Sequence, residues 1–337
     1  MKKIALLAPG HVCSPYHLGQ NLQWRLREAG HTCDVFENLD FLSRLVPKSD
    51  SIDVWHYWLR KKLSHASRDR VIQSRLSGYD AIVILECIPR AFDPSYLGVN
   101  ELRRKTGNPV FVYEVYSPHN APLIANRIST DYGIDYREYY DGIMHVSPVT
   151  EVRGAPLDST WNEGMASEGW NLEVQSKPGF TAVVDFEQAG YEGFRQDQVD
   201  VLEELDIPYV SLRGRYSLSQ IRKYYAEAAV FFLQFPESFG QPICECLNFG
   251  TQIFAADKYW AMSWRKGADI RGPEDGELPG CFSIYSDKDD LKERLVMFRD
   301  SYDAVKTPRL IRSNFEESYP DYFHGNDAGL SRWLESF

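Results

Sequence analysis

Short apolar runs alternate with longer amphipathic stretches over most of the chain. In the first half, the runs with the length and composition of buried strands are Ile4–Ala8, Cys33–Phe36, Ala81–Leu85, Val110–Val115 and Gly142–Val146. Leucines at positions 18, 22 and 26 predict a helix over Leu18–Glu28, which Gly30 closes. Strands that are separated by helices favour a parallel sheet with both faces covered.

The alternation weakens between residues 150 and 178, where glycine and proline are frequent, and then resumes. The strands predicted in the second half are Phe180–Asp185, Pro208–Leu212, Val230–Gln234, Gln252–Ala256 and Phe282–Tyr285. The helices predicted there are Gln196–Leu205, Ser217–Ala228 with Ser217 as its N-cap, Ile243–Phe249 and Asp287–Phe298. The pattern therefore predicts an α/β chain with two Rossmann-like domains facing across a cleft, in which ligands bind beyond the carboxyl ends of the strands.

Length and composition agree with two ordinary globular domains. The chain has 337 residues, 43% of them hydrophobic and 25% charged, which excludes disordered, collagen-like and coiled-coil proteins. No run of about 18 apolar residues is present, and the apolar stretch after Lys3 is too short for a signal peptide. Six scattered cysteines without a C-x-x-C pair indicate free thiols in a reducing cytoplasm, so a cytoplasmic location is expected.

Charge is distributed unevenly along the chain. The net charge is −11, yet residues 1–75 carry twelve Lys and Arg against seven Asp and Glu. The positive excess lies in one stretch, formed by Arg60, Lys61, Lys62, Arg68, Arg70 and Arg75. Such a stretch suits one anionic surface or acceptor: a glycan, a phosphorylated lipid or a nucleic acid. Trp55 and Trp58 just before it favour core packing, and peripheral binding to a membrane surface stays open.

The segment after the predicted strand Val230–Gln234 carries the clearest chemical signal. A carboxylate, Glu237, is followed by Gly240, which permits a tight turn, and by a helix that begins near Gln241–Pro242. Free N–H groups at such a helix start can hold a phosphate. Glu245 follows on the same helix, so two acids bracket one potential anion site, and a carboxylate can accept hydrogen bonds from a sugar or ribose diol.

These residues resemble the E-x7-E motif of retaining GT-B glycosyltransferases of the glycosyltransferase family 4 type. Two neighbouring motifs are similar to those of the family as well: Leu212-Arg213-Gly214-Arg215 upstream and Gly250-Thr251-x-Ile253 downstream. The resemblance implies domains over 1–165 (Rossmann-like, acceptor side), 166–315 (Rossmann-like, nucleotide-sugar side) and a C-terminal helix over 316–337 that crosses back to the first domain. It also implies transfer of a sugar from a nucleotide-diphosphate sugar to an acceptor hydroxyl with retention, without a metal or cofactor.

The resemblance also implies a role for each matching residue. Glu237 would contact the donor sugar, and Glu245 would contact the ribose. The amides from Phe239 to Ile243 would hold the distal phosphate, and Ser238, Gly240 and Gln241 are among the binding residues. Arg213 or Arg215 would supply positive charge to the diphosphate. Gly10 would let the first loop approach the phosphate or the acceptor, and Tyr116 or His119 would contact the sugar. Asp287-Lys288-Asp289 is expected to start a helix rather than bind a metal.

Two departures from the family pattern keep other functions open. The family's G-R-x-x-x-x-K-G word should fall within 181–193, but this region contains Asp185, Glu187 and Glu192 and lacks that Arg and Lys. In the word Tyr113-Glu114-Val115-Tyr116, Tyr116 stands where the family often has histidine. A catalytically inactive relative that binds a glycan, nucleotide or partner protein is therefore one alternative, and a sugar-nucleotide epimerase is another.

Overall fold

The structure is a computed structural model that describes residues 1–8, 14–37, 75–85, 99–114, 140–146, 157–171, 173–214, 216–237, 239–267 and 274–337. The chain divides into two compact units. The first comprises Met1–Glu168 together with Gly325–Phe337, and the second is Gly169–His324.

The first unit is built on a parallel sheet of six strands in the order β2-β1-β3-β4-β5-β6. Its strands are β1 (Lys3–Ala8), β2 (Thr32–Glu37), β3 (Ala81–Ile84), β4 (Val110–Glu114), β5 (Gly142–His145) and β6 (Thr160–Asn162). The described helices of this unit are α1 (Ser14–Glu28), α2 (Val99–Thr106) and, near the C-terminus, α9 (Asp327–Glu335). The side chains of β3 and β5 are buried throughout, as expected for inner strands of a sheet covered on both faces.

The second unit is built on a parallel sheet of five strands in the order β11-β10-β9-β7-β8. Its strands are β7 (Ala182–Val184), β8 (Tyr209–Ser211), β9 (Val230–Leu233), β10 (Gln252–Ala255) and β11 (Phe282–Ile284). Its helices are α3 (Glu192–Glu204), α4 (Leu218–Glu227), α5 (Gln241–Asn248), α6 (Lys288–Ser301), α7 (Lys306–Ser318) and α8 (Pro320–His324). Short 3-10 turns lie at Leu157–Ser159, Glu168–Asn171 and Met262–Trp264.

The predicted strands are all present, whereas β6, α2 and α7 were not predicted. The single C-terminal helix expected over 316–337 is wrong: this segment holds the end of α7, then α8 and α9. The other differences concern element ends. Helix α1 begins at Ser14 and α3 at Glu192, four residues before the predicted start in each case, because the first turn of a helix adds few core contacts. The stretch 150–178, interpreted as a junction, contains β6, which pairs with β5 as the edge strand. A strand of three residues, such as β6, is too short to produce a recognisable hydrophobic pattern in the sequence. Ser217 caps α4 and Asp287 caps α6, each accepting a hydrogen bond from a backbone N–H in the first turn, as predicted.

The C-terminal segment is fixed to the first unit by aromatic packing and by backbone contacts. Trp333 is fully buried, and its ring lies 5.5 Å from that of Phe111 on β4. Asn326 N–H donates to the Glu163 carbonyl at 2.8 Å. A Cβ on Gly329 would lie 1.7 Å from the Asn162 carbonyl oxygen, so only glycine allows α9 to approach β6 this closely.

A buried ionic cluster lies beside this contact. Glu163 accepts hydrogen bonds from the Arg25 guanidinium and from the Tyr113 hydroxyl, and Arg25 also donates to Asp327 at 3.0 Å. Burial raises the pKa of Glu163 to about 7, although Arg25 and Tyr113 oppose the shift. The cluster links α1, β4, the segment after β6 and the start of α9. No sequence pattern predicts it, because its residues are far apart in the chain.

Candidate functional site

The candidate site lies at the carboxyl end of β9 in the second unit. Strands β7, β8, β9 and β10 run parallel, so the loops that follow them leave from the same edge of the sheet. The chain leaves β9 at Leu233, passes through Glu237 and enters α5 at Gln241. The predicted order of strand, acidic residue, glycine and helix is therefore what the structure shows.

Gly240 makes the turn from this loop into α5. It is the N-cap of the helix and has a left-handed backbone with φ of 67°. A Cβ at this position would lie 2.5 Å from Cγ of Glu237 and 2.8 Å from Cδ1 of Ile243. Any larger residue would displace the Glu237 side chain, so this glycine both shapes the turn and positions the acid.

Fewer amide N–H groups are available to bind an anion at the start of α5 than the five residues from Phe239 to Ile243 suggest. Pro242 has no N–H, and the Ile243 N–H donates to the Gly240 carbonyl at 3.0 Å. Among the described residues, no hydrogen bond acceptor is found for the amides of Phe239, Gly240 and Gln241. These three amides, at the positive end of the helix dipole, are the ones able to bind an anion.

The Phe239 side chain points into the core. It is 3% exposed and packs against Trp264, with ring centroids 6.4 Å apart, and against Tyr322 at 5.4 Å. Tyr322 donates to the Ser263 carbonyl at 3.1 Å, and Tyr319 donates to the Trp264 carbonyl. The buried Phe239 ring therefore anchors the loop to the core.

Glu245 lies one turn into α5 and is buried, with 3% of the residue exposed. Arg222 on the adjacent helix α4 donates to its Oε1 through Nε at 2.9 Å and through Nη2 at 2.7 Å. Gln241 Nε2 lies 3.3 Å from the same oxygen. The carboxylate is therefore neutralised by a guanidinium, which sequence spacing did not reveal because the two residues are brought together by helix packing.

The loop after β7 carries acidic groups instead of the family's Arg and Lys. Burial raises the pKa of Asp185 to about 7, and the negative charge of nearby Glu237 adds to the shift. Arg195 on α3 is a positive group beside this loop. Its guanidinium donates to the carbonyls of Asp185 and Leu212, at 3.2 Å each, and to the Ser211 hydroxyl.

Gln234, fully buried at the end of β9, fixes the same loop. Its side-chain oxygen accepts from Gln188 N–H at 3.0 Å, and its Nε2 donates to the carbonyl of Phe186 at 2.7 Å and to that of Asp185 at 3.2 Å. The sequence analysis missed both Gln234 and Arg195. The available signal for Gln234 was an amide closing a fully apolar strand, since a buried amide must find partners.

The remaining predicted site residues are placed only in part. Arg213 is exposed in the loop after β8, and its backbone N–H donates to the Tyr216 hydroxyl at 3.2 Å. Five predicted site residues lie outside the described residues: Gly10, Tyr116, His119, Arg215 and Ser238. The basic stretch also lies outside them except for Arg75, which is exposed.

The described residues offer neither a metal site nor a membrane span. In the ranges given above, no group of three or more His, Cys, Asp or Glu side chains could hold a metal ion. Within the same ranges, no helix is long and apolar enough to cross a bilayer. The four described cysteines, Cys33, Cys244, Cys246 and Cys281, are buried free thiols.

Comparison with known proteins shows similarity at the level of structure. No protein-family model and no curated protein sequence matches the chain. An alpha-glucosyltransferase solved with UDP and a 13-mer DNA matches with a TM-score of 0.61 and 13% identity, over 99% of this chain and 98% of that one. HepE of Anabaena, solved with UDP-glucose, matches with a TM-score of 0.56 and 12% identity over the whole of both chains. A glycosyltransferase of Rickettsia africae matches with a TM-score of 0.54 and 12% identity, over 99% and 97% of the chains.

These likenesses confirm the predicted fold class. The chain has the α/β architecture of GT-B glycosyltransferases, with two Rossmann-like sheets that follow one another along the chain. At 12–13% identity the similarity concerns the fold, and the activity has to be argued from the site.

Proposed function

We propose that this chain is a glycosyltransferase that moves a sugar from a nucleoside-diphosphate sugar to an acceptor hydroxyl, with retention and without a metal. The observation that carries the proposal is the geometry after β9: a left-handed Gly240 holds Glu237 on one side and opens the amides of α5 on the other. Similarity to structures solved with UDP and UDP-glucose supports a uridine diphosphate sugar as the first donor to test.

In this proposal the chemistry is mainly electrostatic. As the bond to the sugar breaks, negative charge grows on the departing diphosphate. The amides of Phe239, Gly240 and Gln241 stabilise it, because they are oriented before the reaction begins. Glu237 accepts hydrogen bonds from hydroxyls of the donor sugar, and Glu245 accepts from the ribose. Tyr116 or His119 would contact the sugar, and Arg213 or Arg215 would contribute charge at the diphosphate.

The proposal is tested by calorimetry with UDP and UDP-glucose and by UDP release in the presence of candidate acceptors. Glu237→Gln should leave UDP binding nearly unchanged and lower kcat/KM by about 10- to 100-fold, the contribution of one hydrogen bond to a charged group. Glu293→Gln on the exposed face of α6 is the matched control. Absence of binding to UDP and to every common nucleotide sugar at millimolar concentration would show the proposal to be wrong.

Retention and metal independence need their own measurements. The anomeric configuration of the product, read by NMR before it equilibrates, should match that of the donor. Turnover should be unchanged after extensive treatment with a chelator. An inverted product, or activity that returns only with a divalent cation, would contradict these parts of the proposal while leaving the transfer itself in place.

A non-catalytic relative is the second candidate, and the acidic loop after β7 favours it. Asp185 lies close to Glu237 and Glu187 is exposed on the same loop, where cations on the diphosphate would be expected. Binding of UDP without release of sugar from any donor, with or without acceptor, would select this candidate. Interconversion of donor sugars in the absence of acceptor would instead select an epimerase.

The acceptor is proposed to be anionic, from the basic stretch between Arg60 and Arg75. Reversing Lys61 and Lys62 to Glu should weaken binding of a polyanionic glycan, of DNA or of vesicles with anionic lipid, whichever is the acceptor, and leave UDP binding intact. Equal binding by the variant would reject this basic stretch as the acceptor site. The cytoplasmic location, and attachment to a membrane surface, remain expectations that fractionation of cells would test.

A further inference from the structure

A groove along α7 lies at the edge of the second sheet opposite to the candidate site. It consists of two adjoining cavities of about 600 and 970 Å³, and Arg309 and Arg312 of α7 line both of them. The larger cavity also reaches the last residues of α4 and α5, at Glu227 and Asn248. Strands β9 and β10 begin shortly after these two helices end, whereas the turn at Gly240 follows the carboxyl end of β9. The groove is therefore separate from the site proposed for the donor.

The groove carries positive charge within a unit that is acidic overall. Between residues 169 and 324 the sequence has 26 Asp and Glu against 17 Lys and Arg. In contrast, residues 304–315, which contain the start of α7, include three cations and no acid. Two acids in the wall have cationic partners: Glu227 lies 3.8 Å from Lys223, and Glu316 pairs with His324 at 2.9 Å. The groove is therefore expected to attract an anionic group.

Arg312 is held in place before any ligand binds. Its guanidinium donates to the Trp170 carbonyl and lies 5.2 Å from the centre of the Phe323 ring. Burial lowers the pKa of this guanidinium, although Glu316 opposes the shift. Arg309 lies three residues earlier and is exposed, so the two arginines share one face of the helix. The planar fork of arginine matches the two oxygens of a carboxylate.

The wall of the larger cavity also contains groups that accept hydrogen bonds. Asn248 is 2% exposed, and its Oδ1 has no donor in the described part of the chain. A buried oxygen without a donor is costly, and a ligand hydroxyl can supply the missing hydrogen bond. Glu173 is an exposed acceptor in the same wall. A ligand that combines hydroxyls with a few carboxylates matches this mixture, whereas the dense phosphates of a nucleic acid would be repelled by the acids.

We propose that the groove along α7 is a binding site for an acidic oligosaccharide, with its carboxylates at Arg309 and Arg312 and a hydroxyl at Asn248. Ligand pockets usually measure about 300–1,000 Å³, so the two cavities together have room for more than one sugar unit. The inference goes beyond the proposed function and does not depend on it, because no residue of the donor site takes part.

The experiment measures binding of tetragalacturonate to the full chain by calorimetry. Neutral maltotetraose, monomeric galacturonate and a short single-stranded DNA are the comparisons, and each should bind at least about tenfold more weakly, because each lacks either the charges, the length or the hydroxyls. Arg309→Gln should weaken tetragalacturonate binding by about tenfold, the contribution of one hydrogen bond to a charged group. Asn248→Ala should weaken it by about fivefold, the contribution of a neutral hydrogen bond.

Lys306→Gln is the matched control, because Lys306 is an exposed cation on the same helix and lines neither of the two cavities. It should keep the full affinity for tetragalacturonate. Saturating UDP should not displace the oligosaccharide, and Arg309→Gln should leave UDP affinity unchanged.

Several results would overturn the inference: no binding of tetragalacturonate at millimolar concentration, equal binding of maltotetraose or DNA, displacement by UDP, or full affinity in both Arg309→Gln and Asn248→Ala. None of these results bears on transfer from a nucleotide sugar. Failure to bind UDP or any nucleotide sugar would reject the proposed function and leave this inference in place.

Discussion

At the scale of the residue, the site depends on Gly240. Its positive φ and its contact with the Glu237 side chain leave no room for a Cβ. Glycine adopts this conformation without the steric cost that other residues incur. A single small residue therefore determines both how α5 starts and where the acid lies.

Gly240→Ala is expected to lose nucleotide binding and to destabilise the protein. The left-handed backbone costs about 1–2 kcal/mol for alanine, and the overlap with Glu237 adds to this. Differential scanning fluorimetry with and without UDP measures both effects. Gly193→Ala in α3 is the control, because no atom lies within 4 Å of its would-be Cβ. It should be neutral or stabilising, by up to about 1 kcal/mol. Normal UDP binding by Gly240→Ala would remove the loop from the proposed site.

At the scale of the element, aromatic packing holds the loop before α5 in place. Phe239 lies between Trp264 and Tyr322, and Tyr322 belongs to α8, which is remote from the loop in sequence. The start of α5 is therefore positioned by residues about 25 to 85 positions away along the chain.

Phe239→Ala should lower the free energy of unfolding by about 3–5 kcal/mol, as truncation of a buried phenylalanine usually does. Because it also releases the loop, UDP affinity should fall. Phe239→Leu keeps most of the volume and should lose less than about 1.5 kcal/mol while keeping affinity. Urea unfolding and calorimetry separate the two effects. Unchanged UDP binding by a folded Phe239→Ala would show that this packing does not position the amides.

At the scale of the whole molecule, buried ionisable groups of opposite kinds lie in the two units. Burial raises the pKa of Glu163 to about 7 in the first unit. In the second unit it lowers the pKa of Lys177, also to about 7, from an ordinary value of 10.5. The Lys177 ammonium donates to the Ala226 carbonyl at 2.8 Å and to Thr251 Oγ1 at 2.9 Å, which ties the end of α4 to the start of β10.

The two groups should give opposite pH dependences of stability. Between about pH 4.5 and 7 the folded state keeps the Glu163 proton that the unfolded state has released, so stability falls as pH rises. Between about pH 7 and 10.5 the unfolded state keeps the Lys177 proton that the folded state has released, so stability rises with pH. Urea midpoints at pH 5, 7 and 9 should show that Glu163→Gln reduces the slope in the lower window, to which Asp185 also contributes, and that Lys177→Met flattens the upper window. Identical pH profiles for the variants and the unmodified protein would refute the assignment.

The first unit is completed by the end of the chain, through Trp333 and Gly329. Trp333→Ala should lower the stability of that unit by about 3–5 kcal/mol, because its ring packs on Phe111 of β4. Hydrogen exchange should accelerate in β4 and stay unchanged in β9. Arg332→Ala, on the exposed side of α9, is the control. Equal acceleration in both sheets would show that the segment does not belong to the first unit alone.

The sequence by itself determined the local features: the strands, their alternation with helices, the caps Ser217 and Asp287, and the turn at Gly240 between two acids. These depend on periodicity and on backbone preferences that act over a few residues. Only the tertiary structure decided which side chains meet: Arg222 with Glu245, Gln234 with the loop after β7, Phe239 with Trp264 and Arg25 with Glu163. Such pairs join residues far apart in the chain, so they are set by how helices and strands pack, and single-sequence spacing carries no record of that packing.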